Sequence, residues 1–195
     1  MNYHDKFNWV AFFDIDEFLY IRDARSVNEI LSDYEDIDSL FINWRLFGDN
    51  GLKEVENGEY SVLKRFTRCD KDLHSLGKQI LHTSRTKTTV KFNNPHILQY
   101  SKPPLREFRS YDPSLKLMCG CGNIKNNTEL EKMELYHYRN KTYQECYKRK
   151  YKTTDAFFRL DNCTSRSDLN EVNRYFNEHN KNDIENTTLK DFLGV

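Results

Sequence analysis

The chain has 195 residues, 37% of them hydrophobic and 31% charged, which suits one domain with a modest core and a heavily charged surface. Its 30 Lys and Arg balance its 30 Asp and Glu. No global field therefore steers it to nucleic acid or to an acidic membrane, and any anion site has to be local.

No apolar run reaches the roughly 18 residues that a membrane-spanning helix needs. The opening Met1-Asn2-Tyr3-His4-Asp5-Lys6 lacks the apolar core of an export signal. Cys69, Cys119, Cys121, Cys146 and Cys163 are odd in number. They read as reduced thiols of a cytoplasmic compartment, with a peripheral location at a membrane left open. Cys119-Gly120-Cys121 has no second cysteine pair nearby and does not read as a zinc site.

Trp9-Val10-Ala11-Phe12-Phe13 is a short continuous apolar run, which predicts a strand buried on both faces, as in a parallel sheet. Ser26-Val27-Asn28-Glu29 has the form of a capping box and predicts a helix running to Tyr34. Ser39 to Trp44 predicts a second strand, and Asp49-Asn50-Gly51 a turn. Tyr60 to Thr67 and Thr88 to Phe92 are further strand candidates. Pro95, Pro103, Pro104 and Pro113 mark an irregular middle region. Met133 to Tyr138 predicts a strand, and the capping box Thr142-Tyr143-Gln144-Glu145 opens a helix through Phe158. A last amphipathic helix is expected from Leu169 to Phe176, followed by a polar, frayed tail. Strands alternating with helices give the class α/β with a mixed sheet.

Asp14, Asp16 and Glu17 follow directly on the first strand. Ligands of open α/β sheets bind outside the carboxyl ends of strands. Acids gathered there raise one another's pKa or recruit a cation, and their hard oxygens suit Mg²⁺ or Mn²⁺. In an extended chain the alternation of Asp-x-Asp would set both aspartates on one face. The structural alternative is a set of solvated loop acids capping a turn.

The segment Trp9 to Leu19 resembles the D-x-D segment of glycosyltransferases related to family 92 and of family 2-like enzymes. Ile42-Asn43-Trp44-Arg45-Leu46-Phe47-Gly48-Asp49-Asn50-Gly51 is similar to the next block of that family, a strand and acceptor-side loop. Lys64-Arg65-Phe66 and Asn94-Pro95-His96 resemble later blocks. Tyr136-His137-Tyr138-Arg139-Asn140-Lys141-Thr142 resembles the closing H-Y-x-x-K-[ST] block.

The resemblance implies a GT-A fold, Rossmann-like, and transfer of a sugar from a nucleotide-sugar donor to a hydroxyl of a glycan, polysaccharide or lipid-linked acceptor. It implies residues 1–160 as the catalytic region and 161–195 as a helical extension with a polar tail. It implies Asp14, Asp16 and His137 at a Mn²⁺ or Mg²⁺ site, converging in space at strand ends. The resemblance also sets Asp14 toward the donor ribose. Arg139 and Lys141, beside a capping box, have two roles open, neutralising the donor diphosphate at a helix N-terminus or standing as plain solvated charges. Asp49 is the candidate general base and Glu17 a candidate catalytic or supporting carboxylate; each has a plain turn-forming alternative. Trp44 has two roles open, stacking on a sugar or filling the core.

The family's opening strand and helix, which hold the nucleotide base, have no counterpart ahead of Trp9. The expectation is therefore a fold incomplete at its N-terminus, with self-association or a complementing N-terminal half as partner. Two rivals stand beside the transferase: a phosphohydrolase using Asp14 as nucleophile, and a non-catalytic remnant that binds a partner or glycan. Glu17-Phe18 after Asp16 counts against the phosphohydrolase, which usually has Thr or Ser there.

Overall fold

The computed structural model of the chain describes residues 6–85, 90–94, 97–100, 110–115, 117–118, 132–152 and 169–195. Cys119, Cys121, Cys163, His96 and the expected boundary at 160/161 lie outside them. In chain order the elements are β1 Trp9–Ala11, β2 Glu17–Ile21, α1 Val27–Ser32, β3 Ser39–Leu46, α2 Val62–Arg65, β4 Arg68–Cys69 and β5 Gly77–His82. There follow β6 Val90–Asn94, β7 Ile97–Tyr100, β8 Ser110–Tyr111, β9 Leu117–Met118, β10 Met133–His137 and α3 Tyr143–Tyr147. A π-helical turn, Lys148–Lys152, continues α3. The chain ends with α4 Leu169–His179, β11 Ile184–Glu185 and α5 Thr188–Leu193.

The class is α/β with a mixed sheet, as expected. The main sheet runs β1-β5-β3-β10-β2, with β8 added on β3 and β9 on β8. β3 is antiparallel to β5 and parallel to β8. The chain divides into two compact units. Unit 1 comprises Met1–Arg45 and Asp72–Tyr136; unit 2 comprises Leu46–Lys71 and His137–Val195.

In unit 1 the core is made by Ile30, Leu31, Tyr34, Leu40, Ile42, Trp44, Ile80 and Leu135, all buried. Every residue of β3 is buried, which is the pattern expected of a strand covered on both faces. β1 does not have that pattern. It is a three-residue edge strand paired antiparallel with β5, and Ala11 and Phe12 are exposed, Phe12 by 54%. Among the described residues no strand pairs its other side. The expectation of a doubly buried parallel strand at Trp9–Phe13 is therefore corrected. A short apolar run marks a strand but does not say whether neighbours flank it.

β5 approaches β3 closely because Gly77 stands opposite Asn43. A Cβ at Gly77 would lie 1.9 Å from the Ile42 carbonyl oxygen. The charge of Glu134, buried on β10, is met from within the sheet. Arg45 grips Glu134 through Nε and Nη2 at 2.8 and 3.0 Å, and Arg22 Nη2 adds a third contact at 3.0 Å. A buried glutamate is tolerable when its charge is met by such paired donors.

Both capping boxes form. Ser26 accepts from the Glu29 N–H and Glu29 from the Ser26 N–H; Thr142 and Glu145 make the same exchange. α1 stops at Ser32, two residues short of the expected Tyr34. In unit 2 the expected strand Tyr60–Thr67 is instead a helical turn, closed by Arg65 N–H to Ser61 O at 3.2 Å and Phe66 N–H to Val62 O at 3.0 Å. The turn aims Arg65 at Glu145, which it grips at 2.8 and 3.0 Å. The turn therefore carries a contact 80 positions away in sequence, which local strand propensity does not register. The polar tail does not fray. Ile184–Glu185 pairs antiparallel with Arg68–Cys69, and α5 ends on Gly194 in the left-handed region.

Candidate functional site

Lys78 sits on β5 with 2% of its side chain exposed. Its Nζ lies 2.9 Å from Asp14 Oδ2 and 3.6 Å from Glu17 Oε2. Asp14 and Glu17 are joined twice more. The Glu17 N–H donates to Asp14 O at 3.0 Å, and the Asp14 N–H donates to Glu17 Oε2 at 2.8 Å. Asp14-Ile15-Asp16-Glu17 is thus a turn, not an extended segment, so the strand alternation that would align Asp14 with Asp16 does not apply. The turn projects outward: Ile15 is 97% exposed and 59% of the Asp14 side chain is open, while the Glu17 side chain is fully enclosed.

These surroundings set the charge state of Glu17. Burial has the largest influence and pushes its carboxyl up to about 7. The Asp14 N–H and the Lys78 ammonium pull the other way, and the Asp14 carboxylate adds to the rise. The cation called for by acids at a strand end is, in part, the protein's own lysine. Carboxyls shifted towards neutrality in this way concentrate at functional sites, although structural ion pairs produce them too.

The turn is followed back along the chain by a cavity of about 700 Å³ in unit 1. Phe13, directly before Asp14, is one of its wall residues; Trp9, Asn28, Leu31, Ser32 and Glu35 are others. Edge strand β1 and helix α1 supply half of this lining.

The other expected site residues belong to unit 2. Asp49 is buried and organises its own turn. Its Oδ1 accepts from the Gly51 N–H at 2.8 Å and from Asn182 Nδ2 at 3.0 Å. Asn50 and Gly51 take φ of 54° and 77°, and the Leu52 N–H closes on Asp49 O at 2.9 Å. This is a type I′ turn, the form that Asp-Asn-Gly favours. His137 is buried at the end of β10, and its carbonyl accepts from the Phe47 N–H at 3.1 Å. Lys141 takes a φ of 58° just ahead of the capping Thr142. Arg139 lies over the Tyr175 ring, 4.9 Å from its centroid. Trp44, 2% exposed in unit 1, fills the core.

Among the described residues no group of three or more His, Cys, Asp and Glu side chains is arranged to hold a metal ion. The residue that sequence reasoning missed is Lys78. Its partner Asp14 is 64 positions away, and nothing local distinguishes it from a surface lysine except the apolar Ile80-Leu81 that follows in the same strand. Compared with known proteins, the chain matches no family model and no curated protein, so its chemistry has to be argued from these residues.

Proposed function

We propose that the chain is a divalent-metal-dependent glycosyltransferase of the GT-A type, moving a sugar from a nucleotide-sugar donor to a hydroxyl of a glycan, polysaccharide or lipid-linked acceptor. The observation that carries this is the succession of a cavity of about 700 Å³, its wall residue Phe13, and the outward-facing Asp14–Glu17 turn. The volume falls in the range of small-molecule sites, roughly 300–1,000 Å³. Aromatic rings at Trp9 and Phe13 offer a nucleoside an apolar wall, and Asn28 and Ser32 offer hydrogen bonds.

Mn²⁺ and Mg²⁺ take one or two protein carboxylates and complete their shells with water and substrate phosphates. Asp16 and Asp14 suit that donor set. Asp14 shares its charge with Lys78; Asp16, the last acid of the D-x-D, is the leading ligand that the resemblance implies. When bound, such an ion stabilises the charge of the departing nucleoside diphosphate. Lys78 and Glu17 act on the turn itself. They fix the Asp14 side chain and backbone, so the acids meet the donor already oriented. Glu17 is then a positioning residue, since its side chain is enclosed.

One observation favours a second reading, a non-catalytic binding module: Glu17 and Asp49, the two carboxylates expected to do proton chemistry, are both engaged in holding turns. Incubation with Mn²⁺, a panel of nucleotide sugars and oligosaccharide acceptors separates the cases. Metal-dependent nucleoside diphosphate release coupled to acceptor glycosylation is expected. Donor binding without turnover would favour the binding module, and release of inorganic phosphate would favour the phosphohydrolase.

A further inference from the structure

Edge strand β1 leaves main-chain groups without a ladder partner, and its register with β5 says which. The Thr83 N–H donates to the Asn8 carbonyl at 2.9 Å, so Asn8 and Thr83 form a hydrogen-bonded pair. Such pairs alternate with non-bonded ones along an antiparallel ladder. Val10, opposite Leu81, is the next bonded residue. Trp9 and Ala11, opposite His82 and Ile80, turn their N–H and C=O groups away from β5. Among the described residues no other group bonds to them. The cavity of unit 1 lies along this edge. Alternate side chains of a strand point to opposite faces, so a wall unbroken from Lys6 to Ala11 makes the cavity a groove beside the strand. Val27, Asn28, Leu31 and Ser32 of α1 stand in its other wall.

An open edge of this kind is a template for a further strand. Hydrogen bonds alone admit any extended segment; the side chains select the chain's own β1. A two-fold axis through Val10 brings two copies of β1 together antiparallel. Each Trp9 N–H then meets the Ala11 carbonyl of the second copy, and each Ala11 N–H the Trp9 carbonyl. Carried past the ends of the strand, the same register sets Phe7 against Phe13 of the second copy and Lys6 against its Asp14. Phe7 is 54% exposed, and the Asp14 side chain 59%. Aromatic pairs and opposite charges that face one another across strands add stability. The contact is isologous, so each of these pairings occurs on both sides of the axis.

We propose that β1 is a self-association edge, pairing antiparallel with β1 of a second copy about Val10 and joining the two main sheets into one. The strand has 3 residues, so the contact is small and the dimer weak and concentration-dependent. The groove it fills is also the wall proposed for the nucleoside, so dimer and donor compete for it; that consequence alone rests on the transferase reading.

The test is analytical ultracentrifugation of the full chain over a concentration series, with neither metal nor donor present. A monomer–dimer equilibrium is expected. Ala11→Pro removes an outward N–H while leaving the Val10–Leu81 pair intact, as suits a proline on an edge strand. It should weaken the dimer at least about tenfold, since a hydrogen bond is lost on both sides of the axis, with the thermal melt of the monomer little changed. Lys6→Glu and Phe7→Ser, on the exposed rim, should each weaken it about threefold and decide the matter if the proline variant misfolds. Phe192→Ser, at a residue of unit 2 that is 77% exposed, should leave the dimer unchanged. A chain that stays monomeric at millimolar concentration would overturn the proposal and leave the edge to a different strand. So would a dimer indifferent to Lys6→Glu and Phe7→Ser, or one lost in Phe192→Ser, which would place the contact elsewhere. Because no donor or metal is used, failure here is distinct from failure of the transferase reading.

Discussion

The Lys78 ammonium, buried on β5, lies 2.9 Å from the Asp14 carboxylate and 3.6 Å from that of Glu17. One cation thus faces two acids of the same turn, with Asp14 open to water and Glu17 enclosed. Removing it affects the two differently. In Lys78→Met the exposed Asp14 stays hydrated, whereas Glu17 loses the charge that favours its ionised form. The expected cost is about 1–3 kcal/mol at pH 8, below the 3–5 kcal/mol typical of a stranded buried charge, because Glu17 takes up a proton instead. At pH 5, where Glu17 is already protonated, the cost should be smaller. Urea unfolding at both values checks this; an equal or larger loss at pH 5 would contradict it.

Glu17 itself gives a pH signature. Its folded pKa of about 7 stands above its ordinary value of 4.5. The folded state therefore binds the proton more tightly than the unfolded state does. This contribution is fully present below the unfolded pKa and is lost as pH rises through the folded one. At about 1.4 kcal/mol per unit, the loss between pH 4.5 and 7 is on the order of 2–3 kcal/mol. Glu17→Gln keeps an acceptor for the Asp14 N–H and cannot ionise. Its stability should be nearly flat over that window and should exceed the wild type above pH 7. Denaturant midpoints measured from pH 4.5 to 8 decide; an unchanged slope in the variant would assign the effect to another group.

Gly77 and Gly51 make a matched pair for backbone tests. At Gly77 an added methyl meets the Ile42 carbonyl at 1.9 Å, and that backbone belongs to the buried β3. Gly77→Ala should cost at least about 2 kcal/mol, because the two strands have to part. At Gly51 nothing lies within 4 Å, but φ is +77°. Gly51→Ala should cost only about 1–2 kcal/mol, the strain of an L-residue in the left-handed region. Thermal melts of both variants, read against wild type, should preserve that order.

Local signals in the sequence carried well into the structure where the interaction is itself local. Ser26 with Glu29, and Thr142 with Glu145, are three residues apart, and both boxes form. The Asp49-Asn50-Gly51 turn follows from side chains that tolerate positive φ. β3 and β10 were legible as apolar runs with β-branched or aromatic content. What failed depends on distant partners. The apolar Trp9–Phe13 run looked the same whether flanked or at an edge, and the helical turn at Val62–Arg65 is paired with a glutamate 80 positions away. β5 begins Gly77-Lys78-Gln79 and gives little apolar signal, so the lysine that neutralises the Asp14–Glu17 turn was not visible. Of the candidate site, Asp14, Asp16 and Glu17 were legible as a cluster, with a capped turn as the alternative to an extended segment, but the Lys78 contact and the cavity before them were not.

The central claim is that Asp16 leads the binding of a divalent ion and a nucleotide-sugar donor at this turn. Calorimetry of wild type and Asp16→Ala, with Mn²⁺ present or chelated, against a panel of nucleotide sugars tests it most directly. Donor binding by the wild type that requires Mn²⁺, and its loss by at least about tenfold, 1.4 kcal/mol, in Asp16→Ala, is the expected result. Donor affinity that is unchanged by the substitution, or indifferent to the metal, would contradict the claim.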